Sequence, residues 1–331
     1  MPDILYEFDP DGDVTFIIEN APGFLPHNLS DLNAFLLSQP YSNTDVELAE
    51  IAKSVESPSL HIRASSNHLM LASPQFKRTF QHGFKEGTEL RSAGHVEVPI
   101  CDWKPLLFLL LMAILHGQNQ LVPRRLCMLR LTEMAVLVDY YECYEAVAIV
   151  FSLWVEATEK ERPRFSTKQS MEWLCITWVF QRGHGFNSIT VNILKNSRGK
   201  ITANNLPIPT KIIADEMQNI KDFYIGKVIH RLHDLVDRLQ CGPQVCNKQC
   251  DLIRLGILVK RMHELGILSP TPEAPTTECS YKELYEAYYD MSSSFHHCQL
   301  MPEVLGILNV VDDLLNYGLN LKSFASLREK P

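Results

Sequence analysis

Residues 60–76 read Leu60-His61-Ile62-Arg63-Ala64-Ser65-Ser66-Asn67-His68-Leu69-Met70-Leu71-Ala72-Ser73-Pro74-Gln75-Phe76. Leu60, Ile62 and Ala64 alternate with polar residues, the two-residue period of a strand with one buried face. Ser66 or Asn67 then supplies a side-chain oxygen for the first turn of a helix running through Met70 and Leu71. Pro74 suits the first turn of a second helix, Gln75 to Phe80, where its missing N–H does no harm. Leu69, Leu71 and Phe76 would form one apolar face of this helical pair, turned toward the strands. The stretch therefore predicts a strand followed by a helical hairpin.

Upstream, Asp13 to Glu19 is β-branched and flanked by turn residues, so it predicts another strand. Residues 1–12 before it read as an acidic tail. Between the two strands, residues 20–58 read as an irregular acidic insertion whose one amphipathic patch runs from Asp45 to Val55. Downstream, His95 to Pro99 alternates as a third strand. Pro105 to His116 is an apolar helix stopped by Gly117. Leu126 to Tyr140 and Tyr144 to Trp154 continue as helices, with Trp103 and Trp154 as packing anchors whose indole N–H groups are tied down. The fold class is α+β.

This order of elements resembles the BTB/POZ domain, whose hallmark is a His-x-x-Leu-x-x-x-Ser-like helical turn followed by Phe. Here His68, Leu69, Ser73 and Phe76 stand in a tighter spacing than that pattern and carry the likeness, together with Asp13, Gly117 and Tyr140. Phe84-Lys85-Glu86-Gly87, His95 to Pro99 and Ala135 to Tyr141 are similar to the fungal branch of the family. The resemblance covers residues 13–156 and implies a small sheet with helical hairpins. It also implies a non-catalytic role in self-association, as a homodimer, or in docking a protein partner. A narrower version is a substrate adaptor of a cullin-type ubiquitin ligase, and a further one is a transcription-associated scaffold. Two features depart from the family pattern: the insertion at 20–58, and the lack of any Kelch repeat or zinc-finger spacing downstream. His68 reads as a core or half-buried histidine satisfied by backbone groups.

Charge bears on partners. The chain of 331 residues has a formal net charge of −8, and eleven acids against the single base Lys53 fall within residues 1–60. The body that follows is near neutral, so it offers no dense basic face for a phosphate backbone. Direct binding of nucleic acid is not expected. The apolar run Leu106 to Leu115 is too short to cross a bilayer, which needs about 20 residues. With no leader-like start and nine scattered cysteines, the expectation is an intracellular protein, nuclear or cytoplasmic and not secreted.

Residues 157–331 read as mainly α-helical. Thr210 to Gln240 repeats Ile213, Met217, Ile220, Tyr224, Val228, Leu232, Leu235 and Leu239 at three- and four-residue steps, a stripe that ordinarily faces a core. Ser170 to Phe180, Asp251 to Leu265 and Glu303 to Asn316 are further helices. Cys241, Cys246 and Cys250 form the one metal candidate, with Cys246 and Cys250 placed to share a helix face. A structural zinc site needs four ligands, and Cys279, His263 and His233 stand at unpersuasive spacings, so buried thiols without metal or other cofactor are the reading. No hydrolase elbow or phosphate-cradling glycine loop occurs. An enzyme with unrecognised chemistry in the helical half is the competing class.

Overall fold

The computed structural model describes residues 3–19, 21, 25–38, 58–160, 167–209, 213–244, 247–269, 279–292 and 300–328. The chain divides into two compact units, Met1–Arg164 and Phe165–Pro331. The architecture is α+β and mostly helical, with one small mixed sheet.

In the first unit the strands are β1 (Ile4–Glu7), β2 (Val14–Ile18), β3 (Leu60–Ala64) and β4 (Val96–Pro99). Their order is β1-β3-β2-β4, with β2 and β3 antiparallel and both outer pairs parallel. The presence of β1 corrects the reading of residues 1–12 as a tail. Ile4 to Glu7 pairs with Leu60 to Arg63, and Tyr6 is buried on the core face. The acids around it point to solvent and hid a four-residue strand. Gly12 turns the chain from β1 into β2, and a Cβ there would meet the Ala64 carbonyl oxygen at 2.6 Å.

The insertion is less irregular than its composition suggests. Leu29–Asp31 makes a 3-10 turn that runs into α1 (Leu32–Ser38), where Leu32 and Leu36 are buried. The Asp45 to Val55 patch lies outside the described residues.

After β3 come α2 (Ser66–Ala72), α3 (Pro74–Gln81) and α4 (Lys85–Ala93). Beyond β4 stand α5 (Pro105–Leu115), α6 (Met128–Tyr141) and α7 (Tyr144–Lys160). Helix α5 is buried without a break from Leu107 to Leu115, which explains an apolar run with no polar face. Gly117 follows it at φ +68°, the left-handed conformation a glycine adopts without strain. Trp154 is fully buried and donates its indole N–H to the Pro123 carbonyl at 2.6 Å. Phe16 of β2 meets Phe108 of α5 edge-on at 5.1 Å, so sheet and helix share one core.

The second unit is helical, with α8 (Thr167–Val179), α9 (Gly183–Asn196), α10 (Asp215–Cys241), α11 (Lys248–Glu264), α12 (Tyr281–Ser292) and α13 (Leu300–Leu315). The α10 stripe turns inward: Met217, Val228, Leu232 and Leu235 are buried. Lys221 is buried on that face as well, its ammonium donating to the Gly199 carbonyl. Ser280 and Glu283 form a reciprocal box at the start of α12, each side chain accepting from the other's backbone N–H. Among the described residues no helix is long and apolar enough to cross a membrane.

Candidate interaction surface

The hallmark residues occupy two levels: most build a junction beneath the α2–α3 hairpin, and a few face solvent above it. Asp13, just before β2, is the keystone of the junction. Its carboxylate accepts from the Ser66 backbone N–H and from the Ser66 hydroxyl, both at 2.7 Å, while its backbone carbonyl accepts from Val96 of β4. The expectation that Ser66 or Asn67 caps α2 with its own side chain is corrected. Ser65 holds the capping position and its side chain makes no capping bond. The acceptor comes from a distant aspartate, whose charge also favours the positive end of a helix.

Ser73 is fully buried and works at both ends of its hydroxyl. It accepts from the Phe76 backbone N–H at 3.0 Å, capping α3, and donates to the Tyr141 carbonyl. Phe76 stacks on Tyr141 at 4.5 Å and on Phe80 at 5.9 Å. Leu69 is fully buried. Asp13, Leu69, Ser73 and Phe76 therefore do join the hairpin to the sheet and to α6.

Two hallmark-region expectations need correction, on Leu71 and His68, and Tyr140 lies away from the core. Leu71, expected on the same buried face as Leu69 and Phe76, is 88% exposed. Two residues along a helix is about 200° of rotation, so Leu69 and Leu71 cannot share one face. His68 is exposed too; its ring meets His116 edge-on at 5.1 Å, and it is His116 that the backbone satisfies. Tyr140 is 54% exposed, packing edge-on to Trp103 at 5.2 Å, and its neighbour Tyr141 is the buried ring. Burial pushes the Tyr141 phenol far up, with Tyr140 adding to the shift, so it stays protonated.

Other outward apolar side chains are Phe84 ahead of α4, Leu129 at the start of α6, and Ile149 and Leu153 on α7. Ile149 and Leu153 are one helical turn apart and so project from one face. The outer face of the sheet carries a hollow of about 340 Å³ lined by Asp3, Leu5, Thr15, His61, Arg63, His95 and Glu97. In the second unit a groove of about 810 Å³ lies along α10 and α13, its floor formed by Val228, Leu235 and Val311.

Three of the thiols are poor nucleophiles. Burial raises Cys143 to about 12 and Cys279 to about 11, and it raises Cys127 as well, so these thiols are protonated at neutral pH. Among the described residues no three His, Cys, Asp or Glu side chains converge as metal ligands. Cys241 is exposed and Cys250 half-buried, while Cys246 lies outside the described residues. The expected shared face of Cys246 and Cys250 therefore lies outside the described residues, which place Cys250 in the first turn of α11. Comparison with known proteins finds no matching protein-family model, no matching curated protein and no matching solved structure.

Proposed function

We propose that residues 13–156 form a BTB/POZ-type association module, which self-associates or docks a protein partner and performs no chemistry of its own. The observation that carries this reading is the element order around the hairpin: two antiparallel strands with α1 between them, the three short helices α2 to α4, a further strand beside the first, then helices α5 to α7. It is joined by the side chains of Asp13, Ser73 and Phe76 at the positions the resemblance singles out. The contact surface is assigned to the outer side of α2, where Leu71 projects beside the exposed His68.

The test is oligomeric state by light scattering across a concentration series, for the intact chain and for Leu71→Asp. A dimer in the parent chain that dissociates at least tenfold more readily in the variant supports the reading. Deleting the first twenty residues would be a poor test, since β1 and the central strand β2 lie within them. A chain that is monomeric at all concentrations and retains no protein through residues 13–156 would overturn it.

A further inference from the structure

We infer that His116 is an acid-sensitive latch that fastens the start of α2 to the end of α5. Both ring nitrogens are committed to backbone groups: Nε2 lies 3.0 Å from the Ser65 nitrogen and Nδ1 lies 2.8 Å from the Met112 carbonyl oxygen. An amide N–H can only donate and a carbonyl can only accept. Nε2 must therefore present its lone pair and Nδ1 must carry the proton. One tautomer of the neutral ring satisfies both partners, and the imidazolium satisfies only one.

Protonation at Nε2 would set a second N–H against the Ser65 N–H. That amide is on a buried residue, and among the described residues the His116 ring is its acceptor. The first turn of α2 would then hang on the Asp13 carboxylate alone, through Ser66. The groups facing the ring come from two further elements. His68 of α2 sits edge-on at 5.1 Å, and Asp9 reaches it from the turn between β1 and β2, where the Phe8 ring also packs at 5.6 Å. Burial is the largest influence and holds His116 below its ordinary value, with His68 acting the same way. The Met112 carbonyl and Asp9 pull upward against them.

The direction of the pH dependence follows. The unfolded histidine titrates near about 6.5 and the folded one lower. Between those two values the unfolded chain binds more protons, so the latch loses stability as pH falls from about 6.5 to the folded midpoint. Below that midpoint the loss is complete and the dependence levels off. The latch holds whether or not the chain self-associates.

The experiment uses the intact chain labelled with nitrogen-15 histidine, titrated from pH 8 to pH 4.5 by NMR. Amide protection factors, which remove the intrinsic pH dependence of exchange, are followed in parallel for residues 65–72. The expected result is an Nδ1–H ring for His116 at pH 7.5, a midpoint below 6.5, and a fall of about tenfold in Ser65 protection at the same midpoint, the scale of one lost hydrogen bond. His68→Asn, altered at an exposed side chain, should raise the His116 midpoint and carry the Ser65 transition with it. An Nε2–H tautomer, a midpoint at or above 6.5, or Ser65 protection that ignores the His116 titration would each overturn the inference.

Discussion

Replacing Asp13 by alanine removes two 2.7 Å hydrogen bonds at once, and the loss can be sized from their surroundings. Ser66 is only 3% exposed, so its N–H gains no water when the carboxylate goes. Loss of a helix cap costs about 0.5–2 kcal/mol, and leaving a buried donor unsatisfied costs about 1–3 kcal/mol. These overlap, since the orphaned donor is the uncapped one, so Asp13→Ala is expected to cost about 2–3 kcal/mol. For a unit of this size each kcal/mol lowers the midpoint by about 2–4 °C, which gives a drop of roughly 5–10 °C. Asp13→Asn keeps an acceptor oxygen but loses the charge and should fall between the two. Fluorine-labelled tryptophan reports the right unit, since Trp103 and Trp154 lie in Met1–Arg164 and Trp173 and Trp178 do not. Ser66→Ala should cost less than Asp13→Ala, and the two changes together should cost less than their sum, because they share the hydroxyl bond. Strict additivity, or an Asp13→Ala midpoint within 1 °C of the parent chain, would refute the keystone role.

Leu71→Asp should leave thermal stability within about 0.5 kcal/mol of the parent, as substitutions at solvent-facing positions do; a large loss would show that Leu71 is packed. Gly87→Ala should destabilise the first unit by about 2 kcal/mol or more, because the new Cβ would sit 2.4 Å from the Phe80 carbonyl oxygen, an overpacked contact against backbone. Urea denaturation checks it, and an unchanged midpoint would place α3 and α4 farther apart. Tyr288→Phe should keep or raise stability by about 1 kcal/mol, because the buried Tyr288 hydroxyl has no hydrogen-bond partner among the described residues. A clear loss in calorimetry would reveal a partner for that hydroxyl.

How much of the fold is legible in the sequence follows from how strongly each segment constrains itself. Leu60 to Ala64 alternates cleanly and is a strand over those same residues, and Pro105 to Leu115 is apolar enough to be only a buried helix. Among the described residues four helices carry no such signal in the chain, the first being Leu32–Ser38 in a stretch that reads as irregular. Lys85–Ala93 buries only Gly87 and so shows no stripe. Gly183–Asn196 opens on two glycines that argue against a helix, although Phe186, Ile189 and Ile193 bury its inner face. Tyr281–Ser292 did carry a signal in Ser280 and Glu283, a capping box three residues apart. The strand Ile4–Glu7 was lost among acids, and its pairing with β3 is a tertiary fact that no local pattern states.

The hallmark residues divide along the same line. Asp13, Leu69, Ser73 and Phe76 are legible because each meets a demand the fold makes: a donor to satisfy, a core to fill, a cap to supply. Tyr140 and Tyr141 show the limit, since two adjacent tyrosines differ only in which side of α6 they take, and the neighbouring rings decide it. Leu71 marks the other limit. At 88% exposure it contributes almost nothing to the core, so folding places no demand for leucine there. The junction beneath it is tested by stability, whereas the association proposed for Leu71 is tested by the oligomeric state of the chain.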